Sequence, residues 1–404
     1  MDKTFVNTLS AEVYGESINK LRPLENEFSE QTEVEAAEKV INAMRYYRQY
    51  CLMKLKRRSD AIRSLLEEDK ALLVASCTEH MKRVRECVEQ NQKLLEMIVH
   101  CGANILGGSV QSALETHQLH PSTEHYMTKS KSILKQLVRD WSANGAHERE
   151  SCYRLVLNDM EAFYPSRSDD NQQNRQDIQV LVTGAGLARL AWELRKMGFS
   201  VTGNELFSYF MLLTSNFILN ACHEKEEFTI YPYVMDFSNS WCYEDQLKPI
   251  KFPDVNPADF SDGDKNSSER ENINNMTSGF AMCAGDFLQA YSDAEEHFDS
   301  VVSVFFLDTA ANPIAYIRLI YKILRKGGFW LNFGPLTYHH EDSDDTLSLE
   351  LPFNSILRLV EQCGFKLEKV LDKESQKESP SRYTWNKDSM LQYNYYCGYF
   401  VAQK

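Results

Sequence analysis

The sequence predicts an α/β protein, a doubly wound parallel sheet preceded by an all-helical N-terminal region. Three observations predict it. From Val180 onward, short apolar runs alternate with amphipathic helical stretches, the pattern of a parallel sheet covered on both faces. Val180-Leu-Val-Thr-Gly184-Ala-Gly186 sets two close glycines between an apolar run and a helical pattern, and Val201-Thr-Gly-Asn-Glu205 ends on an acid about twenty residues later. Upstream, between about residues 33 and 105, apolar residues recur at three- and four-residue steps.

Residues 1–32 are polar and weakly patterned and are expected to form a disordered arm. In the helical region, residues 33–150, Val40, Met44, Tyr47 and Cys51 make one stripe and Val84, Cys87, Val88 and Leu94 another. Asn104-Ile-Leu-Gly-Gly108 breaks that pattern and a polar connector containing Pro121 follows. A further helix begins near Ser130, with Ile133, Leu134, Leu137, Val138 and Trp141 on its apolar face. These stripes demand a partner, either the next domain or a second copy of the chain in a homodimer. The α/β domain takes residues 151–404, with strands expected at 180–183, 200–203, 281–284, 300–307, 329–333 and 393–401. Helices are expected at 188–196, 207–219, 314–324 and 353–363. Residues 254–278, rich in charge and poor in apolar side chains, read as a solvated loop insertion.

Composition excludes some classes of function. The chain has 404 residues, 43% of them hydrophobic, enough for a sizeable core and two or three domains. A formal charge of −14 argues against a broad nucleic-acid surface, which needs basic residues to meet phosphates. Ten cysteines without a Cys-x-x-Cys pair suit reduced thiols better than a disulfide or zinc framework. The start lacks a signal-peptide core, and no segment is apolar for long enough to span a membrane. The expectation is a protein of the cytosol, with the nucleus a second compatible compartment.

Gly184, Gly186 and Glu205 suit a nucleotide cofactor: glycines admit the backbone to the ligand, and the acid accepts from ribose hydroxyls. The loop, with Ala188 following Gly186, has no third glycine to complete the dinucleotide fingerprint, so it does not by itself separate a nicotinamide cofactor from S-adenosylmethionine. Three later features favour S-adenosylmethionine. Ala284-Gly-Asp286-Phe287 follows a strand, where the acid could meet an adenine amino group; Phe305-Phe-Leu-Asp308 ends another strand on an acid; Gly327-Gly328 forms a helix-to-strand turn. The plain reading of Asp308 is a helix cap near Thr309. His339 and His340 are adjacent and lack an obvious third ligand, so no metal site is expected. Tyr383, Tyr393, Tyr395 and Tyr396 form a C-terminal aromatic patch whose plain reading is sheet packing, with Tyr393 and Tyr395 on one face.

These motifs together resemble the carnosine N-methyltransferases. The resemblance is carried by Lys135-Gln136-Leu-Val-Arg139-Asp-Trp141, Gly184-Ala-Gly-Leu-Ala-Arg-Leu-Ala-Trp, Gly203-Asn-Glu205, Phe252-Pro-Asp, Ala284-Gly-Asp-Phe, Leu307-Asp308-Thr-Ala, Gly334-Pro-Leu-x-Tyr-His339 and Arg382-Tyr383-Thr-Trp-Asn. It runs from about residue 33 to the end of the chain. What it implies is a Rossmann-like class I methyltransferase domain that moves the methyl group of S-adenosylmethionine to an imidazole nitrogen of carnosine, giving anserine. It implies that Gln136, Arg139, Gly184, Glu205, Asp286 and Phe287 bind the cofactor. Asp308, His339, Tyr395 and Tyr383 would contact the dipeptide, with Asp308 and His339 in the catalytic roles.

Asp308 is the first choice for the acceptor that selects the reactive imidazole tautomer and stabilises the forming imidazolium, since a carboxylate suits developing positive charge. Other classes stay open at this point: a methyltransferase acting on protein histidine or another small molecule, a non-catalytic adenosine-binding scaffold, and an NAD-dependent dehydrogenase. A nucleic-acid methyltransferase is disfavoured because Leu307-Asp308-Thr-Ala stands where an Asn/Asp-Pro-Pro-Tyr/Phe motif belongs.

Overall fold

A computed structural model describes residues 30–106, 119–165, 174–205, 209–259, 279–342, 347–375 and 380–404. Helix α1 (Glu30–Arg63) packs along α2 (Glu67–Leu106), so helical structure begins inside the stretch expected as an arm; residues 1–29 lie outside the described residues. Helix α3 (Glu124–Trp141) starts six residues before Ser130 because Thr123 caps it, its hydroxyl accepting the Tyr126 N–H at 3.4 Å. A helix that periodicity did not single out, α4 (Ala146–Phe163), follows, and the boundary expected at residue 150 falls inside it.

Strands β1 (Gln179–Thr183), β2 (Ser200–Glu205), β5 (Phe280–Ala284), β6 (Phe298–Val304), β7 (Leu324–Gly334), β8 (Lys366–Leu371) and β9 (Gly398–Gln403) form the main sheet, with β3 (Phe228–Ile230) and β4 (Ile250–Phe252) as a separate antiparallel pair. Spatial order is β5-β2-β1-β6-β7-β9-β8. Pairing is parallel from β5 to β7, and β9 runs antiparallel to both of its neighbours. The chain moves outward from β1 through β2 to β5, then returns to lay β6 on the other side of β1. The β1–β6 seam is therefore the topological switch point, where open α/β sheets place their ligands.

Alternation along the strands loads both faces. Val180, Val182 and Val302 pack with Leu190 and Leu194 of α5 (Arg189–Lys196) and with Val156 and Met160 of α4. Leu181, Val301 and Trp330 face the other way, onto Ile317 and Ile320 of α7 (Pro313–Ile323) and Ile356 and Val360 of α8 (Phe353–Gln362). The stripes of α1 and α2 are also consumed. Tyr47, Val88 and Leu95 join Phe210, Leu213 and Phe217 of α6 (Tyr209–Ala221) and Ile230, Ile250 and Phe252 of the small sheet in one core.

Two expectations need correction. The strand expected at 300–307 ends at Val304, because Phe305 turns to φ +55° and Leu307–Thr309 form a 3-10 turn. The strand expected at 393–401 begins only at Gly398. Tyr395 instead exchanges backbone bonds of 2.8 Å with Ser381, outside the sheet, so alternation does not govern these tyrosines; Tyr393 and Tyr396 are exposed.

A buried charge network joins α3, α4 and α5. Asp254 accepts from Arg149 Nη2 at 2.5 Å and from Arg189 Nη1 at 2.6 Å, and its own N–H donates to the Trp141 carbonyl at 2.8 Å. Burial lowers Arg149, with Arg189 nearby adding to the effect. Asp254 was expected to open a solvated insertion, yet its side chain is 12% exposed because two guanidinium groups need it; residues 260–278 of that insertion lie outside the described residues. Asp254→Ala should cost about 3–5 kcal/mol in urea unfolding, since it strands buried cations; a loss below about 1 kcal/mol would contradict this role.

Candidate active site

Four of the residues expected at the cofactor meet in one cavity. Gly184, Glu205, Asp286 and Phe287 line it together with Asn204, Phe306 and Tyr316, enclosing about 210 Å³ at the carboxyl edge of β1, β2 and β5. Gly184 has φ +60°, and a Cβ there would stand 2.6 Å from the Phe306 ring, so this position takes no side chain without moving the cavity wall. Glu205 is buried, and its Oε2 accepts the Gly186 N–H at 2.8 Å, tying the glycine turn to the end of β2. Asp286 caps the one-turn helix Phe287–Ala290 through Oδ1 and the Gln289 N–H at 3.1 Å. Phe306 stacks on Tyr316 with ring centres 4.9 Å apart, and Phe287 meets both edge-on. Burial, with Asp286 adding to it, pushes the Tyr316 phenol up to about 12, which keeps it a neutral wall.

A second group gathers around α3. Gln136 Nε2 donates to the Tyr383 hydroxyl at 3.0 Å, and the buried Arg139 guanidinium lies 4.5 Å from the Tyr383 ring centre. Arg139 is held by Asp140 at 3.2 Å and by Glu148 at 3.3 Å, the second contact lying off the Nε–H direction. Tyr383 packs on Phe305 at 4.9 Å, and Tyr395 meets the same Phe305 ring edge-on at 6.0 Å. Burial raises the Tyr383 phenol, opposed by Arg139 and Gln136, so it acts as a phenol rather than a base. A further cavity of about 410 Å³ opens beside Tyr383, with Lys135, Asp236, Trp385, Asp388 and Tyr393 among its walls.

Asp308 sits on the turn after β6 and is 2% exposed. Its carboxylate does not cap the next helix. Oδ2 accepts the Thr337 N–H at 3.0 Å and the Thr337 hydroxyl at 2.9 Å, while the Asp308 carbonyl accepts the His339 N–H at 3.0 Å. The turn after β6 and the loop after β7 are thus sewn together, and the His339 side chain is exposed. Among the described residues no three His, Cys, Asp or Glu side chains are grouped to hold a metal ion, and no helix is long and apolar enough to cross a membrane.

Sequence reasoning missed several lining residues. Phe306 falls within the strand expected at 300–307 and Tyr316 within the helix expected at 314–324, where an apolar side chain that walls a cavity shows the same periodicity as one in a core. Phe305 falls within the same expected strand. Thr337 and Glu148 carry no local signal, since their partners lie 29 and 236 residues away in the chain.

A glycine turn at the switch point, an acid ending the second strand, an aromatic-walled cavity and an antiparallel strand inserted beside a parallel sheet define a class I methyltransferase. The sequence pattern of the carnosine N-methyltransferase family matches residues 116–404. A carnosine N-methyltransferase of Rattus norvegicus is 39% identical over 378 residues, covering 94% of this chain and 88% of that protein. One of Schizosaccharomyces pombe is 33% identical over 389 residues, covering 93% and 97%. The chain belongs to the carnosine N-methyltransferase family.

Ala188, at the end of the glycine loop, has φ +67° and is fully buried as the cap of α5. An L-residue costs about 1–2 kcal/mol in that conformation, more than the extra freedom of an unfolded glycine costs. Ala188→Gly should therefore leave thermal stability equal or slightly higher, and Ala188→Val should lower it; the reverse order in a melting experiment would refute the strain.

Proposed function

We propose that this chain transfers the methyl group of S-adenosylmethionine to an imidazole nitrogen of carnosine, giving anserine. One observation carries the reading. The carboxyl end of β6 presents Phe306 to the cavity of Glu205 and Asp286, Phe305 to the tyrosine cluster, and, two residues later, Asp308 to the loop bearing His339. A single turn of backbone thus joins a cofactor pocket to a polar acceptor site.

The residues fit the cofactor. Glu205 would take ribose hydroxyls, Asp286 and the Phe287 N–H the adenine edge, and Gly184 lets the Phe306 wall approach where a Cβ would displace it. Gln136 and Arg139 would receive its methionine end. When bound, S-adenosylmethionine supplies an electrophilic methyl on a sulfonium, so the protein's contribution is chiefly positioning, worth about 7–11 kcal/mol in favourable cases. Thr337 orients the Asp308 carboxylate through Oδ2, leaving Oδ1 to accept the far imidazole N–H. That acceptor keeps the lone pair on the nitrogen nearer the side-chain stem and stabilises the imidazolium as it forms. His339 and Tyr395 would hold the dipeptide. The cavity beside Tyr383 carries both signs of charge, with Lys135 2.7 Å from Asp236 and Asp388 paired with Lys248, which suits a zwitterion.

Labelled S-adenosylmethionine incubated with carnosine should label the dipeptide in preference to free histidine and to histidine-containing proteins; an unlabelled dipeptide would sink the reading. Asp308→Ala should lower kcat by about 10²-fold or more, the scale for a lost transition-state partner, with cofactor affinity little changed. Only the neutral imidazole carries a nitrogen lone pair that can attack the methyl group. The rate at low carnosine should fall about tenfold per pH unit below the imidazole pKa of about 6.5, and a flat profile there would count against a neutral nucleophile.

A further inference from the structure

Glu148 is the buried acid that the chemistry above leaves without a task. It stands in the first turn of α4, 2% exposed, and its side chain points away from its own helix. Oε1 accepts the Thr384 N–H at 2.5 Å and Oε2 accepts the Trp385 N–H at 3.0 Å, while Arg139 lies 3.3 Å from Oε1. Thr384 has φ +50°, a left-handed conformation that a β-branched residue adopts only under constraint. The residue just before it is Tyr383, whose ring spans Arg139 and Phe305 and whose hydroxyl receives Gln136.

The geometry points to Glu148 as a positioning residue: its carboxylate clamps the strained Thr384–Trp385 turn and so fixes Tyr383 between the cofactor-facing helix and the substrate. Each carboxylate oxygen has its own backbone donor, an arrangement that a neutral amide cannot reproduce because it offers one acceptor and one donor. A charged acceptor also makes these bonds stronger than neutral ones. The same carboxylate neighbours Arg139, so one buried charge couples α3, where the cofactor's methionine end is proposed to lie, to the C-terminal segment bearing the substrate tyrosines. Arg139 keeps Asp140 as a second counter-charge at 3.2 Å, so loss of Glu148 should act mainly on the substrate side. This inference rests on the proposed placement of Tyr383 at the dipeptide.

The test is Glu148→Gln in the full chain, with three readouts. Hydrogen exchange should accelerate at least about tenfold at the Thr384 and Trp385 amides, with β1 and α3 unchanged, because the opening is local. The KM for carnosine should rise about tenfold, while the Kd for S-adenosylhomocysteine stays within about threefold. In a double mutant with Tyr383→Phe the two effects on carnosine should fall short of additive, as coupled residues do. Unchanged exchange at these amides, an equal loss for cofactor and dipeptide, or strict additivity would each overturn the clamp. Should Glu148→Gln fail to fold, Glu148→Asp, which keeps the charge but withdraws it by one methylene, carries the same readouts. A wild-type protein that leaves carnosine unmethylated would overturn the proposed substrate, whereas the exchange measurement judges the clamp without any substrate present.

Discussion

The site depends on one carboxylate held between two guanidinium groups. Asp254 joins Arg149 of α4 to Arg189 at the start of α5, and its N–H meets the last carbonyl of α3. Those three helices carry Gln136 and Arg139, Glu148, and the residues that follow the glycine turn. Arg149 also donates to the carbonyls of Arg139 and Ser142 at 2.7 and 2.8 Å, satisfying acceptors that the end of α3 leaves open. Trp141 completes the seam by donating its indole N–H to the Leu187 carbonyl at 2.8 Å, inside the glycine turn. Helices α3 and α4 are therefore tied directly to the glycine turn and the start of α5.

Strain gathers where the chemistry is proposed. Ala188, Phe305 and Thr384 hold positive φ angles of 67°, 55° and 50°, and none of them is exposed. The other non-glycine residues of this kind among those described, Glu226, Asn239 and Glu296, are all exposed. Each strained residue is overdetermined by its surroundings: Ala188 by its burial as the cap of α5, Phe305 by its N–H bond to the Phe333 carbonyl at 2.8 Å, and Thr384 by Glu148. Such conformations persist only when packing and hydrogen bonds outweigh their cost, and they turn side chains in directions that regular strands and helices do not offer. Phe305 could not face Tyr383 and Tyr395 if β6 simply ran on.

Much of the scaffold was legible because its signals are local. Val180 to Glu205 encodes strand, turn, helix and strand within one stretch, and each of those elements forms within two residues of its expected place. The stripes of α1 and α2 were legible as helices, but their partner was not. They pack on α6 and on a two-stranded sheet whose strands, at three residues each, are too short to show a period. Helix α4 escaped because its apolar residues are interrupted by charged groups that turn inward, Glu148 and Arg149, which an amphipathic pattern assigns to solvent.

The sequence by itself determined the doubly wound sheet, the grouping of Gly184, Glu205, Asp286 and Phe287 at one sheet edge, and the family, because periodicity, turn glycines and contiguous motifs act over a few residues. Only the tertiary structure decided that Asp308 is oriented by Thr337 rather than capping a helix, that Asp254 joins two guanidinium groups rather than opening a solvated loop, and that Glu148 holds the Thr384 and Trp385 N–H groups. Each of those pairings spans tens to hundreds of residues. A charge reads as solvated in sequence until the fold supplies the opposite charge or the backbone donors that make its burial affordable.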